Sequence, residues 1–182
     1  MRRSIDAVQP DAVIHLGDYF RDGQDMLEEY PQIPFCQVPG NCDMHYSGIM
    51  DPEIKLLELG GVRIFMTHGH RHGVKMTLHK LLADARAAGA QAVLYGHTHI
   101  AHCENLDGMW ILNPGAASWG GSAGLITTQS GKIKSCVLIK AEDLKDLSLF
   151  TECLHPAANC AMIGKSKYIR RYAYAMDQYL YG

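Results

Sequence analysis

The sequence lacks a long apolar run. No stretch approaches the roughly 20 residues that a membrane-spanning helix needs. It also lacks an excess of charge of either sign. Lys and Arg number 17 against 19 Asp and Glu, a formal net charge of −2. Without a basic stripe a nucleic-acid partner is not expected, and without an acidic tail neither is a basic one. There is no CxxC pair. Cys36, Cys42, Cys103, Cys136, Cys153 and Cys160 are scattered, which argues against a clustered-thiolate zinc site. They read as reduced thiols of a cytoplasmic protein. Met1-Arg2-Arg3 is basic, but Ser4 to Asp11 carries no apolar core of a signal peptide. Internal repeats and low-complexity tracts are missing too.

What is present is a core. Hydrophobic residues make up 47% of the 182-residue chain, which excludes a disordered class. Ile5 and Val8 fit one face of a short helix that Pro10 ends. Ala12 to Leu16 reads as a strand stopped by Gly17-Asp18. Asp25 to Tyr30 reads as a helix, and Ile33 to Val38 as a strand. Ile54 to Leu59, Gly60-Gly61 and Val62 to Met66 form a hairpin pattern. Leu78, Leu81, Leu82 and Ala85 recur at helical spacing within Val74 to Ala88, with Gly89 as a C-cap. Ala92 to Tyr95 and Trp110 to Leu112 are further strands. Ala123 to Thr128 and Lys132 to Ile139 form a second hairpin. Early alternation followed by hairpins predicts an α/β protein with mixed sheets.

Beyond Lys140 the pattern changes. Glu142 to Phe150 reads as a helix and Thr151 to Gly164 as a loop. Ser166 to Tyr181 reads as a helix with Ile169, Tyr172, Ala173, Met176 and Leu180 on one face. The expected organisation is a domain over 1–140 and a helical extension over 141–182. The tyrosines and methionine of helix 166–181 suggest a homo-oligomer contact.

The chemistry sits where strands end. Gly17-Asp18, Gly40-Asn41-Cys42-Asp43, Thr67-His68-Gly69-His70, Gly96-His97-Thr98-His99 and Asn113-Pro114-Gly115 each follow a predicted strand. Strand carboxyl ends line the binding crevice of α/β folds. A carboxylate, an amide oxygen and several imidazoles make a mixed oxygen and nitrogen donor set. Such a set suits Mn, Ni, Fe or Zn rather than a thiolate structural site. His15, His45, His79, His102 and His155 belong to no such cluster and read as ordinary solvated or hydrogen-bonded histidines.

This ordered set resembles that of the calcineurin-like metallophosphoesterases, in particular the small single-domain group with its YfcE-type phosphodiesterases. The resemblance covers about residues 8–140. It implies two mixed β-sheets packed as a sandwich flanked by helices, an αββα arrangement. It also implies two divalent metal ions and a phosphoester substrate attacked by metal-activated hydroxide. Carried over by position, Asp18 bridges the metals. Asn41, His68 and His97 complete the second site, and His99 ligates the first. Asn41 and His70 lie near the substrate phosphate. Cys42 stands where many members carry a general-acid His, and His45 is a nearby alternative donor.

The departure from the family is at the front. Its members open with a strand ending in Asp-x-His, which supplies first-metal ligands. No Asp-x-His precedes Asp18 here, so the fold is expected to lack that first strand and the second metal site to be the more complete. The expected activity is therefore a metal-dependent phosphoesterase, with phosphodiester hydrolysis the favoured form. The alternative is a non-catalytic scaffold on the same fold, as in the family's retromer subunit.

Overall fold

A computed structural model of the chain describes residues 1–43, 48–117, 121–140 and 142–143, and the backbone of 170–175. Its described elements form two five-stranded sheets. Helix α1 (Arg2–Val8) leads into β1 (Ala12–His15). Helix α2 (Phe20–Glu29) leads into β2 (Phe35–Gln37). Strands β3 (Ile54–Leu59) and β4 (Val62–Thr67) form the Gly-Gly hairpin. Helix α3 (His79–Ala87) then precedes β5 (Ala92–Tyr95), β6 (His102–Leu106), β7 (Met109–Asn113), β8 (Ser122–Gln129), β9 (Lys132–Lys140) and β10 (Arg170–Ala175).

One sheet runs β2-β1-β10-β8-β9 and the other β3-β4-β5-β7-β6. Both are mixed. β1 is parallel to β2 and to β10, while β8 is antiparallel to both its neighbours. In the second sheet β4, β5 and β7 are mutually parallel, and β3 and β6 flank them antiparallel. The strands that lead into the ligand-type motifs therefore run in common directions, and their carboxyl ends gather at one rim of each sheet.

The sheets pack face to face. Ala12, Ile14, Leu16 and Val38 of one meet Val62, Ile64, Met66, Leu94 and Leu112 of the other, all essentially buried. Burial of each such side chain contributes about 1.5–3 kcal/mol, so this layer sets the spacing of the sheets. Val93, Tyr95 and Ile111 point the other way and pack under Leu81, Leu82 and Ala85 of α3. Ile5 of α1 and Ile33 cover Val13 on the outside of the first sheet. The result is the helix-sheet-sheet-helix layering expected from the sequence.

Three local expectations change. Helix α2 begins five residues earlier than its predicted start, because Asp43 supplies the cap its own flank lacks. Strand β6 was not expected at all. Its half-exposed stretch His102–Leu106 has little hydrophobic alternation and is recruited by pairing with β7. The predicted helix over 166–181 is corrected where the chain is described. Arg170–Ala175 is a strand, pairing Ala12 with Tyr172 and Tyr172 in turn with Ile126. Arg-Arg-Tyr-Ala-Tyr-Ala fits a strand as readily as a helix, and the place between β1 and β8 decides it. The supposed helical contact face for a homo-oligomer is lost with that helix. The helix predicted from 142 to 150 and the loop from 151 to 164 lie almost wholly outside the described residues, as does His45. Among the described residues no helix is long and apolar enough to cross a membrane.

Candidate metal centre

The site begins with two glycines. Gly17 has φ +97°, and a Cβ there would stand 2.7 Å from His68 Nδ1 and 2.8 Å from the Gly40 nitrogen. A Cβ on Gly40 would stand 2.3 Å from both the backbone nitrogen and Oδ1 of Asp18. The loops after β1 and β2 thus touch backbone to backbone, which only glycine permits. That contact brings Asp18 beside Asn41. The Cys42 N–H donates to Asp18 Oδ1 at 3.0 Å.

Asp18 is 1% exposed. A buried carboxylate needs compensation. Its second oxygen faces imidazoles, with His68 Nε2 at 3.5 Å and His99 Nε2 at 3.8 Å. His68 is itself fully buried. Its Nδ1 lies 2.8 Å from the Leu16 carbonyl, which only accepts, so the ring proton belongs on Nδ1. Burial holds the His68 pKa below the ordinary imidazole value, partly offset by the Asp18 charge. The neutral ring then turns the Nε2 lone pair to the site. Asn41 Oδ1 stands 3.0 Å from Nε2 and His97 Nδ1 3.2 Å. Burial, followed by the neighbouring His68 and Lys75, lowers the His97 pKa to about 4.

Three donor atoms thus stand 3.0–3.5 Å from His68 Nε2, making a set of four with it. Ligands about 2.1 Å from a cation stand roughly 3.0–3.4 Å apart in octahedral or tetrahedral geometry. The spacing and the donor chemistry both fit a divalent transition metal. The Leu16 carbonyl on Nδ1 is the kind of outer contact that fixes a ligating imidazole. Among the described residues, His, Cys, Asp and Glu side chains alone form no group of three placed to hold a metal ion. The convergent set here includes the amide oxygen of Asn41.

The backbone carries strain at these positions. Asp18, His97 and His99 have φ of 54°, 67° and 58°. Non-glycine residues in this region cost about 1–2 kcal/mol each. Asn113 holds the turn that carries both histidines. Its Nδ2 donates to the Gly96 carbonyl at 2.9 Å and to Thr98 Oγ1 at 3.0 Å, and its Oδ1 accepts from the Gly115 N–H. Asp43 braces the other side. Oδ1 accepts from the Phe20 N–H at 2.8 Å and Oδ2 from the Gly40 N–H at 2.7 Å.

The sequence-predicted residues Asp18, Asn41, His68, His97 and His99 are therefore brought together. The His70 ring stands 5.4 Å from that of His68 and 6.1 Å from that of His97, centroid to centroid, with both nitrogens buried and without a hydrogen-bond partner among the described residues. Cys42 lies beside Asn41, whose Nδ2 points at its sulfur at 3.6 Å. His15 is hydrogen-bonded rather than solvated. It is buried beneath the site, accepting from the Gly17 N–H. Sequence reasoning quoted Asp43 and Asn113 but saw no bracing role in either. Lys75, whose charge reaches His97, was also missed.

Residues 1–139 match the calcineurin-like phosphoesterase superfamily domain. The chain belongs to that superfamily. Among its curated relatives, the probable metallophosphoesterase YsnB of Bacillus subtilis is 38% identical over 107 residues, 58% of this chain and 59% of that protein. A phosphodiesterase of Methanocaldococcus jannaschii is 34% identical over 74 residues, 40% of each chain. The chain thus spans less than two thirds of either relative. Solved structures share the superfamily fold. A predicted phosphoesterase from Streptococcus pneumoniae superimposes with a TM-score of 0.57 at 24% identity, covering 76% of this chain and 87% of that one. A Vps29 double mutant from Entamoeba histolytica gives the same TM-score and coverage at 18% identity.

Proposed function

We propose that the chain is a metal-dependent phosphoesterase acting on phosphodiesters. The observation that carries this reading is the convergence of Asp18 Oδ2, Asn41 Oδ1 and His97 Nδ1 on His68 Nε2. These four residues would hold one divalent cation. Asp18 and His99 would offer the start of a second site, which has fewer protein donors. A cation there supplies Lewis-acid polarisation of a phosphoryl group and makes water more acidic. The protein's own part is to hold the ester and manage protons. His70, buried and with both nitrogens unsatisfied, would donate to a phosphate oxygen. Asn41 offers an amide beside it. Cys42, fixed through its N–H on Asp18, is the candidate proton donor to the leaving alcohol. The relative named as a phosphodiesterase supports the diester over the monoester.

The test is hydrolysis of bis-p-nitrophenyl phosphate by the 182-residue chain with added Mn²⁺, against His97→Ala as the blank. Turnover at least tenfold above the blank supports the proposal. Turnover equal in the two proteins contradicts it. If neither protein turns over while the wild type still binds the cation, the scaffold alternative takes its place.

A further inference from the structure

Among the described residues, the thiols of Cys103 and Cys136 meet. Cys103 lies on β6 opposite Leu112, and Cys136 lies on β9 opposite Ile126. β6 and β9 are the terminal strands of the two different sheets. Both side chains turn into the layer between the sheets, where Cys136 is 6% exposed and Cys103 is half-buried. Their sulfurs stand 3.3 Å apart, and Cys103 Sγ lies 3.2 Å from the Cys136 carbonyl oxygen. A disulfide is about 2.05 Å long, so closure asks each sulfur to move well under an ångström of a roughly 1.3 Å total. Small side-chain rotations supply that.

We propose that Cys103 and Cys136 are a redox-modification site, at which a hydroperoxide converts the pair to a disulfide that joins the two sheets. The division of labour follows from burial. Cys103 is the thiol that solvent reaches, so its thiolate attacks the peroxide. The S–O bond forms as the O–O bond breaks, giving a sulfenic acid and releasing one molecule of water or alcohol. Cys136 Sγ then attacks the Cys103 sulfur, and a second water leaves. Two thiols lose two electrons and two protons in all, and one hydroperoxide is reduced. The sulfur–sulfur contact with Cys136 holds the Cys103 pKa below the usual thiol value, which favours this order. The same contact and burial hold Cys136 well above it.

The staple has a functional consequence. One sheet contributes Asp18 and Asn41 and the other contributes His68 and His97, so the link ties together the two halves of the donor set. The assignment of the pair does not depend on the proposed activity.

The test uses the full chain and hydrogen peroxide. After treatment, alkylation under denaturing conditions and tryptic cleavage, residues 87–132 are expected joined to residues 135–140. Each of those peptides contains one cysteine, so the linkage is unambiguous. Both thiols should be lost together and both restored by dithiothreitol. Cys136→Ser should convert the product to a Cys103 sulfenic acid that dimedone traps. Recovery of both peptides as separately alkylated thiols would overturn the proposal. So would a bridge from Cys103 to any other cysteine. The wild-type peptide map decides the question even if the variant fails to fold.

Discussion

His68 Nε2 stands 3.0 Å from Asn41 Oδ1, while the other nitrogen of the same ring is held by the Leu16 carbonyl at 2.8 Å. Leu16, the residue that follows β1, therefore orients a ligand-type imidazole 52 residues away. The relationship links the two sheets at the point where the donors meet.

Gly40 is the position where that link is least tolerant. A methyl there would stand 2.3 Å from Asp18, against backbone as well as carboxylate. Gly40→Ala is expected to lower stability by about 1–3 kcal/mol, the range for overpacking. It should also weaken cation binding, because relief requires Asp18 to move. Urea denaturation with a parallel Mn²⁺ titration checks both. An alanine variant with wild-type values of both would show that the loops do not need this contact.

Asp43 is expected to matter for stability through its two backbone contacts. Asp43→Ala leaves the Phe20 and Gly40 N–H groups without their carboxylate acceptor. Charge-assisted bonds contribute about 1.5–3 kcal/mol each, so the loss should be roughly 3 kcal/mol or more. Asp43→Asn keeps one acceptor and should cost about half as much. An asparagine variant as stable as the wild type would mean that bulk, not the charged acceptor pair, is what the site requires.

Much of this was legible in the sequence and part of it was not. Asp18, Asn41, His68, His97 and His99 announce themselves because each follows a strand and sits by a glycine, a signal confined to four or five residues. Asp43 and Asn113 act on backbone N–H and C=O groups 2 to 23 residues away, and a sequence does not show where those groups end up. The Cys103–Cys136 contact is longer in range still, joining strands of different sheets. The same limit explains β10. Tyr172 and Ala173 fit a helical face and a strand equally well, and only the neighbours β1 and β8 choose between them.

His15 predicts a pH dependence of stability. Burial, with the neighbouring His68 adding to it, lowers its pKa from 6.5 to about 4 in the folded protein. The unfolded chain therefore takes up this proton first as pH falls. The stability is fully present above pH 6.5 and is lost progressively down to about pH 4. The difference amounts to about 3 kcal/mol. In His15→Asn, whose amide oxygen can still accept from the Gly17 N–H, the fall in stability over that window should be smaller by this amount. Chemical denaturation at a series of pH values measures it, and an unchanged slope would remove His15 as the cause.

Asn113→Ala should separate positioning from folding. The side chain holds the Gly96 carbonyl and Thr98 hydroxyl, and so the turn that keeps His97 and His99 at positive φ. A fall of tenfold or more in turnover with added Mn²⁺, in a protein that still unfolds cooperatively, is the expected result. Full activity in this variant would mean the turn holds itself.

The most direct test is the number and affinity of Mn²⁺ ions bound per chain, measured by equilibrium dialysis for the wild type and for His68→Ala. If Asp18, Asn41, His68 and His97 form a cation site, the wild type binds one ion tightly, with any second ion weaker. His68→Ala should then lose at least tenfold in the tight affinity. Equal binding by the two proteins, or none by either, would contradict the site on which the proposed phosphoesterase activity depends.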